Sequence, residues 1–244
     1  MGRSGGRRGG GHSPAARGLM AFMFVIAAVV GSIGSTQISA PAATPAAVWH
    51  MDGLPGTAQM ADFSGHGNTG VLHHVDAGEP GFRGSAYAFN GHSSLVRVAS
   101  SASLNPGEAD VHLIAHVKLT QLPGSGDYDI VRKGVSESHG GDFKMEILAS
   151  GQAYCLFKGT SGTVDVKESH RDAKRAETED GTWHTVECIK DGNSVTVVVD
   201  GRATSHKDEA GSILNHSPLT IGAKASRGGD YYEGLVDEVT LTLG

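Results

Sequence analysis

The run Trp183-His-Thr-Val-Glu-Cys-Ile-Lys-Asp-Gly-Asn-Ser-Val-Thr-Val-Val-Val-Asp-Gly201 constrains the fold more than any other part of the chain. Two alternating arms meet at a polar turn containing Gly192, and a second turn pair, Asp200-Gly201, closes the unit, which is the pattern of a β-hairpin. Strand side chains repeat with period two, so His184, Val186 and Cys188 leave one side of the first arm, where Val195, Val197 and Val199 can meet them. One face is built for a core and the other for water. Such a hairpin fixes architecture rather than chemistry, because one scaffold of this kind hosts unrelated activities.

The rest of the chain keeps the same rhythm. Glycine is abundant, with 36 residues, and short apolar runs are spaced by turn residues, which argues for many strands rather than helices. Thirteen such segments can be marked, from Val48 to Met51 at one end to Gly234 to Leu243 at the other. That number of strands predicts two packed antiparallel sheets, since one twisted sheet of this width would curl or split. The expected fold is therefore all-β, a two-sheet antiparallel sandwich of the jelly-roll kind. The charged stretch from Lys167 to Asp180 lacks apolar residues at helical spacing and reads as an exposed connection. A short helical turn fits Ala102 to Leu104 or Ile213 to Leu214.

The amino end has a different character. Arg3, Arg7, Arg8 and Arg17 precede an apolar run from Leu19 to Val30 and then small residues, a secretory signal pattern. The run falls short of the roughly 20 apolar residues that cross a bilayer comfortably, so cleavage between Ala42 and Val48 is expected, leaving residues 43–244 as one domain without a membrane span, with an uncleaved amino-terminal anchor as the alternative. Removing residues 1–42 takes away four Arg and no acid, which leaves 16 basic residues against 26 acidic ones, a formal charge of −10. Nucleic acid is thereby a poor partner. An exported chain meets oxidising surroundings, so Cys155 and Cys188 are expected to form a bridge, with two buried free thiols as the alternative. Both lie in strand-like segments, and a link between neighbouring strands is the expected geometry.

Several tags in order carry a family resemblance. Trp49-His-Met-Asp52, Asp62-Phe-Ser-Gly-His-Gly-Asn-Thr-Gly70, Ala88-Phe-Asn-Gly91 and Leu95-Val-Arg-Val98 open the pattern. Ala115-His-Val-Lys-Leu119, Ile130-Val-Arg-Lys-Gly134, Gly181-Thr-Trp-His184, Val199-Asp-Gly201, Leu219-Thr-Ile-Gly222 and Gly234-Leu-Val-Asp-Glu-Val239 continue it. Together they resemble laminin G-like domains of the concanavalin A-like lectin/glucanase superfamily. The resemblance implies a jelly roll with its first and last strands adjacent. It also implies a secreted, non-catalytic module that recognises a glycan or an extracellular, cell-surface protein. A glycan-active hydrolase or lyase and an architectural envelope component are the alternatives. At His116 the chain departs from the pattern, because relatives carry a tryptophan on that strand.

The same resemblance implies a structural calcium ion held by Asp62 and Asp237, with Asp52 as a third ligand. Calcium takes six to eight oxygens, and the turn from Ser64 to Gly70 can supply carbonyls. The alternative is that Asp62 caps its own turn and Asp237 faces water. Zinc is disfavoured, since His112 and His116 are four strand residues and about 13 Å apart. No Glu-x-Asp-x-Glu run or Gly-x-Ser-x-Gly elbow is present, and Glu177 and Glu179 fall in the charged connection, so catalysis is not expected. Ligand contacts are expected instead from loops at the sandwich rim. The segments Leu122 to Tyr128, Val135 to Asp142 and Ala223 to Tyr232 carry Asp127, Tyr128, His139, Arg227, Tyr231 and Tyr232.

Overall fold

Alternation in the hairpin becomes burial. A computed structural model describes residues 43–119, 121–169, 180–224 and 229–244. In it the two arms are β12 (His184–Asp191) and β13 (Ser194–Val199), paired antiparallel with Val186 opposite Val199 and Cys188 opposite Val197. All four of these side chains are buried. The residues between them on each strand are more accessible, as one wet face requires.

Fourteen further strands complete the described chain. The first six are β1 (Pro45–Trp49), β2 (Gln59–Met60), β3 (Gly70–His73), β4 (Asp76–Pro80), β5 (Ser85–Asn90) and β6 (Leu95–Val98). A 3-10 turn at Ala102–Leu104 leads to β7 (Val111–Lys118), β8 (Asp127–Lys133), β9 (Asp142–Leu148), β10 (Ala153–Lys158) and β11 (Thr163–Lys167). After the hairpin come β14 (Arg202–Lys207), β15 (Leu219–Ile221) and β16 (Glu233–Leu243). Ile213 forms an isolated bridge with Gly107 where the sequence also allowed a helical turn.

The strands divide into two sheets. One runs β14-β13-β12-β7-β16-β5-β4 with β1 beside β16, and the other runs β11-β10-β9-β8-β15-β6-β3-β2. Between them lies the core, filled by Trp49, Tyr87, Leu113, Phe143, Phe157 and Leu241, among others. The chain is a two-sheet antiparallel sandwich, as its alternation predicts. β16 is flanked by β7 on one side and by β5 and then β1 on the other, so the first and last strands are neighbours.

Cys155 and Cys188 are bonded, with Cα atoms 5.6 Å apart. The geometry differs from the expected link between neighbours. Cys155 is on β10 of one sheet and Cys188 on β12 of the other, so the bridge crosses the core and joins the layers. The sequence gives strand order along the chain but not which strands face each other through the core. At the start of β12, His184 is clasped between two carboxylates, with Nδ1 2.7 Å from Asp200 and Nε2 3.1 Å from Asp180.

Candidate functional site

At one rim of the sandwich, the segment entering β8 and the segment entering β16 enclose a cavity of about 490 Å³. Gln121, Asp127, Tyr128, Asp230, Tyr231 and Glu233 line it, with Gly91 at the end of β5. Backbone bonds fix the walls. Asp129 N–H donates to the Asp230 carbonyl at 2.9 Å, Gly91 N–H to the Tyr232 carbonyl at 3.0 Å, and Ala149 N–H to the Gly126 carbonyl at 3.2 Å. Gly91 has φ +75°, and a Cβ there would lie 2.6 Å from Glu233 Oε2. Glycine is thus the residue that leaves Glu233 its place.

A charged cluster lies behind this cavity on the outward face of the second sheet. Asp129 and Glu146 are cross-strand partners on β8 and β9, and Arg132 reaches both, at 3.1 Å to Asp129 and 3.5 Å to Glu146. Asp142 stands 3.7 Å from the same guanidinium, and Lys144 pairs with Glu146. All but Lys144 are almost completely buried, with Asp129 at 0% and Glu146 at 1% exposure. Burial raises Asp129, and it pushes Glu146, helped by the neighbouring Asp129 charge, up to about 8. Both carboxyls are thus raised by burial, while the Arg132 guanidinium and Lys144 beside them pull the other way. Asp127, at the cavity edge, is raised by burial first and then by Glu146 and Asp230. Its Oδ1 is buried without a hydrogen-bond partner.

The structure brings together some of the expected contact residues and separates others. Tyr128 and Tyr231 line one cavity with Asp127. Tyr232 does not belong with them. Its ring is fully buried edge-on to Phe89 and Tyr128, and its hydroxyl meets the Lys118 and Leu235 carbonyls at 3.2 Å. His139 lies in the turn at the far end of β8, roughly 20 Å of strand away from Tyr128. Arg227 lies outside the described residues, as do Glu177, Glu179 and the expected leader.

The three carboxylates expected to hold calcium fall in two places. Asp62 accepts from the backbone N–H of Val48, Ser64 and Asn68 at 3.1, 2.9 and 2.7 Å, and from the Ser64 hydroxyl at 2.8 Å. Burial opposes ionisation there, but those bonds outweigh it and hold the carboxyl below its ordinary value. Asp62 thus caps its own turn and ties it to β1. Asp237 and Asp52 flank a different turn, where Asp237 accepts from Arg83 N–H at 2.9 Å and Asp52 from Ser85 N–H at 2.8 Å. Asp237 is fully buried rather than facing water. Burial, then Glu238 and Asp52, push it up to about 6 against the pull of its backbone bonds. Among the described residues no group of three or more acidic, His or Cys side chains converges as a metal site. These residues do not fit one ion.

His116, the departure from the family pattern, is covered by another ring. Phe82 stacks on it with centroids 3.9 Å apart, and Trp183 meets Phe82 edge-on at 6.3 Å.

Comparison with known proteins agrees with this architecture. Among curated proteins, no sequence match was found. The binding domain of Paraclostridial Mosquitocidal Protein 1 superposes with a TM-score of 0.63 at 16% identity, covering 82% of this chain and 48% of that one. The binding domain of Botulinum Neurotoxin DC in complex with SialylT gives 0.61 at 11% identity, with coverage of 83% and 48%. The chain spans about half the length of these toxin domains. Domain 4 of AbnA, a GH43 extracellular arabinanase from Geobacillus stearothermophilus in complex with arabinotriose, gives 0.55 at 15% identity, with coverage of 83% and 93%. At these identities the likeness is one of fold. A laminin G-type family model described as the concanavalin A-like lectin/glucanases superfamily matches residues 90–242, and with the two-sheet sandwich this makes the chain a member of that superfamily.

Proposed function

We propose that this protein is an exported, non-catalytic module that binds a glycan in the rim cavity between the β7–β8 and β15–β16 connections. The observation that carries the reading is the cavity itself, which pairs a half-exposed ring, Tyr231, with hydrogen-bonding groups at Asp127, Asp230, Gln121 and Glu233. A sugar needs that combination, an aromatic face for its C–H side and fixed acceptors for its hydroxyls. Structural relatives described in complex with SialylT and with arabinotriose support a carbohydrate ligand on this fold.

A non-catalytic role is supported by the state of the acids. Asp129, Glu146 and Asp142 sit together, as a hydrolase would need, but they are buried around Arg132 and leave no space for a scissile bond. Export is supported by the leader pattern of residues 1–42 and by the Cys155–Cys188 bridge, which persists in oxidising compartments. Among the described residues no helix is long and apolar enough to cross a membrane. A glycan array followed by calorimetry tests the reading. Binding that drops at least tenfold in Tyr231→Ala is the expected result; no glycan bound, or turnover of any polysaccharide, overturns it.

An extracellular protein partner is the second reading. It is favoured by the large apolar side chains Leu54, Phe63 and Phe82, which are 79%, 63% and 48% exposed. Pull-down from a cell-surface preparation that is lost in Phe63→Ser and Phe82→Ser, but kept in Tyr231→Ala, would favour it.

A further inference from the structure

We infer that the chain carries a second saccharide site, separate from the rim cavity: a pocket of about 220 Å³ that takes a single sugar ring against Phe63 and the Tyr87 hydroxyl. Asp52, Gly53, Thr57, Gln59, Phe63 and Tyr87 line it, and among the described residues it shares no lining with the rim cavity. Tyr87 belongs to β5 of one sheet and Gln59 to β2 of the other, so the pocket lies where the two layers meet.

The polar group at its floor has no partner in the protein. Tyr87 is 1% exposed, yet its hydroxyl makes no hydrogen bond among the described residues and is not closed off from solvent. Burial, and then the charge of Asp52, raise its pKa, so at neutral pH the hydroxyl keeps its proton and is a donor. Gly53 leaves this atom within reach, since a Cβ there would lie 2.7 Å from the Tyr87 oxygen and 2.7 Å from Thr57 Cγ2. An apolar side chain entering the pocket would strip water from the hydroxyl and give nothing back, a penalty that a ligand hydroxyl avoids.

The walls are set before any ligand arrives. Asp52 accepts from Ser85 N–H at 2.8 Å through Oδ1, which leaves its other oxygen without a donor among the described residues. Phe63 is pinned by its own N–H, which donates to the Val48 carbonyl at 2.8 Å, and by the His50 ring, with centroids 4.8 Å apart. Its ring is nevertheless 63% exposed. A ring held in place and left open to water suits the C–H face of a sugar, because little ordering remains to be done on binding. Drug-sized ligands need about 300–1,000 Å³, so this pocket admits one ring, the end or a branch of a glycan rather than its length.

Amide NMR titration of the purified, disulfide-bonded chain tests this with the methyl glycosides of galactose, glucose and arabinose, and with N-acetyl-leucinamide as an apolar side-chain probe. At least one glycoside should shift the Gly53, Thr57 and Phe63 amides in a saturable way. Those shifts should persist in Tyr231→Ala and weaken about fivefold in Tyr87→Phe, which keeps the ring in the core and loses only the hydroxyl. Gly53→Ala, which fills the pocket without touching the core, should weaken them as well. Glycosides that leave these amides unmoved overturn the inference, and so does binding unchanged in both Tyr87→Phe and Gly53→Ala. N-acetyl-leucinamide bound there as tightly as the best glycoside also overturns it, since the pocket would then be an anchor for a protein side chain. Shifts confined to Gln121, Tyr231 and Glu233 overturn it while leaving the rim-cavity reading standing, whereas shifts at Gly53, Thr57 and Phe63 alone support it independently of that reading.

Discussion

Cys155 of β10 and Cys188 of β12 face each other through the core, and their bond is a covalent tie between the two sheets. Both are fully buried, so the tie is inaccessible in the folded state. With a sequence separation of 33, the chain-entropy argument gives about 4 kcal/mol of stabilisation. Cys155→Ala with Cys188→Ala should therefore lower the unfolding free energy by a large part of that amount in urea titrations. The oxidised wild type should resist reductant until it unfolds.

Stability should fall as pH rises from 6 to 8. Asp237 is raised to about 6 by burial, Glu146 to about 8, and His184 is raised because its bonds to Asp200 and Asp180 outweigh the cost of burial. A group whose pKa is higher folded than unfolded contributes stability that is complete below the unfolded value and lost as pH climbs through the folded one. Glu146 and His184 act in this direction across the window, whereas the Asp237 contribution is lost mainly below pH 6 and only its tail remains; His116, lowered by burial, opposes them near pH 6. Lys133, held near 8 by burial, opposes them because its neutral form is favoured by folding, but its contribution grows only as pH passes 8. Calorimetric scans should show a melting temperature lower by about 4–8 °C at pH 8 than at pH 6.

Asp62→Ala should destabilise the domain by about 2–4 kcal/mol, since it removes an acceptor of three backbone donors and one hydroxyl. The same bonds predict the response to chelators. As hydrogen bonds rather than a shared ion hold this turn to β1, the melting temperature should be the same with EDTA and with added calcium. A calcium-dependent rise that disappears in Asp62→Ala would contradict this account.

Two glycine substitutions should have different outcomes. Gly222 has φ +84° and a Cβ there would lie 2.2 Å from the Phe89 ring, so Gly222→Ala should cost about 2 kcal/mol or more in chemical denaturation. Gly91→Ala, at φ +75°, meets the Glu233 side chain instead, with Oε2 at 2.6 Å and Cβ at 3.0 Å, of which the carboxylate end can swing away. Its main effect should be on glycan affinity, read by calorimetry, with a smaller change in stability.

Strands were legible wherever they alternate. The β12–β13 hairpin, β7 and β10 bury every second residue, and the period of two marks each of them. β2, β4 and β14 carry no such mark. β4 holds Gly78 and Pro80, and β14 is an edge strand from Arg202 to Lys207 with hardly a buried residue, so nothing in composition separates it from a loop. The site was half legible for a related reason. Tyr128 and Tyr231 stand in rim segments rich in turn residues, but Tyr231 and Tyr232 are adjacent in sequence and point opposite ways, one to the cavity and one to the core. The cluster of Asp129, Arg132, Asp142 and Glu146 is assembled across β8 and β9, and no spacing along one strand reports a pairing between two.

The position of β16 has a consequence for how the protein is made. This strand fills the gap between β7 and β5 and also pairs with β1, so three partners depend on residues 233–243. A nascent chain that lacks them presents open edges in the middle of its sheet rather than at its border. Folding of the domain is thus coupled to the presence of β16, and removing that strand should yield aggregates instead of a slightly weakened domain.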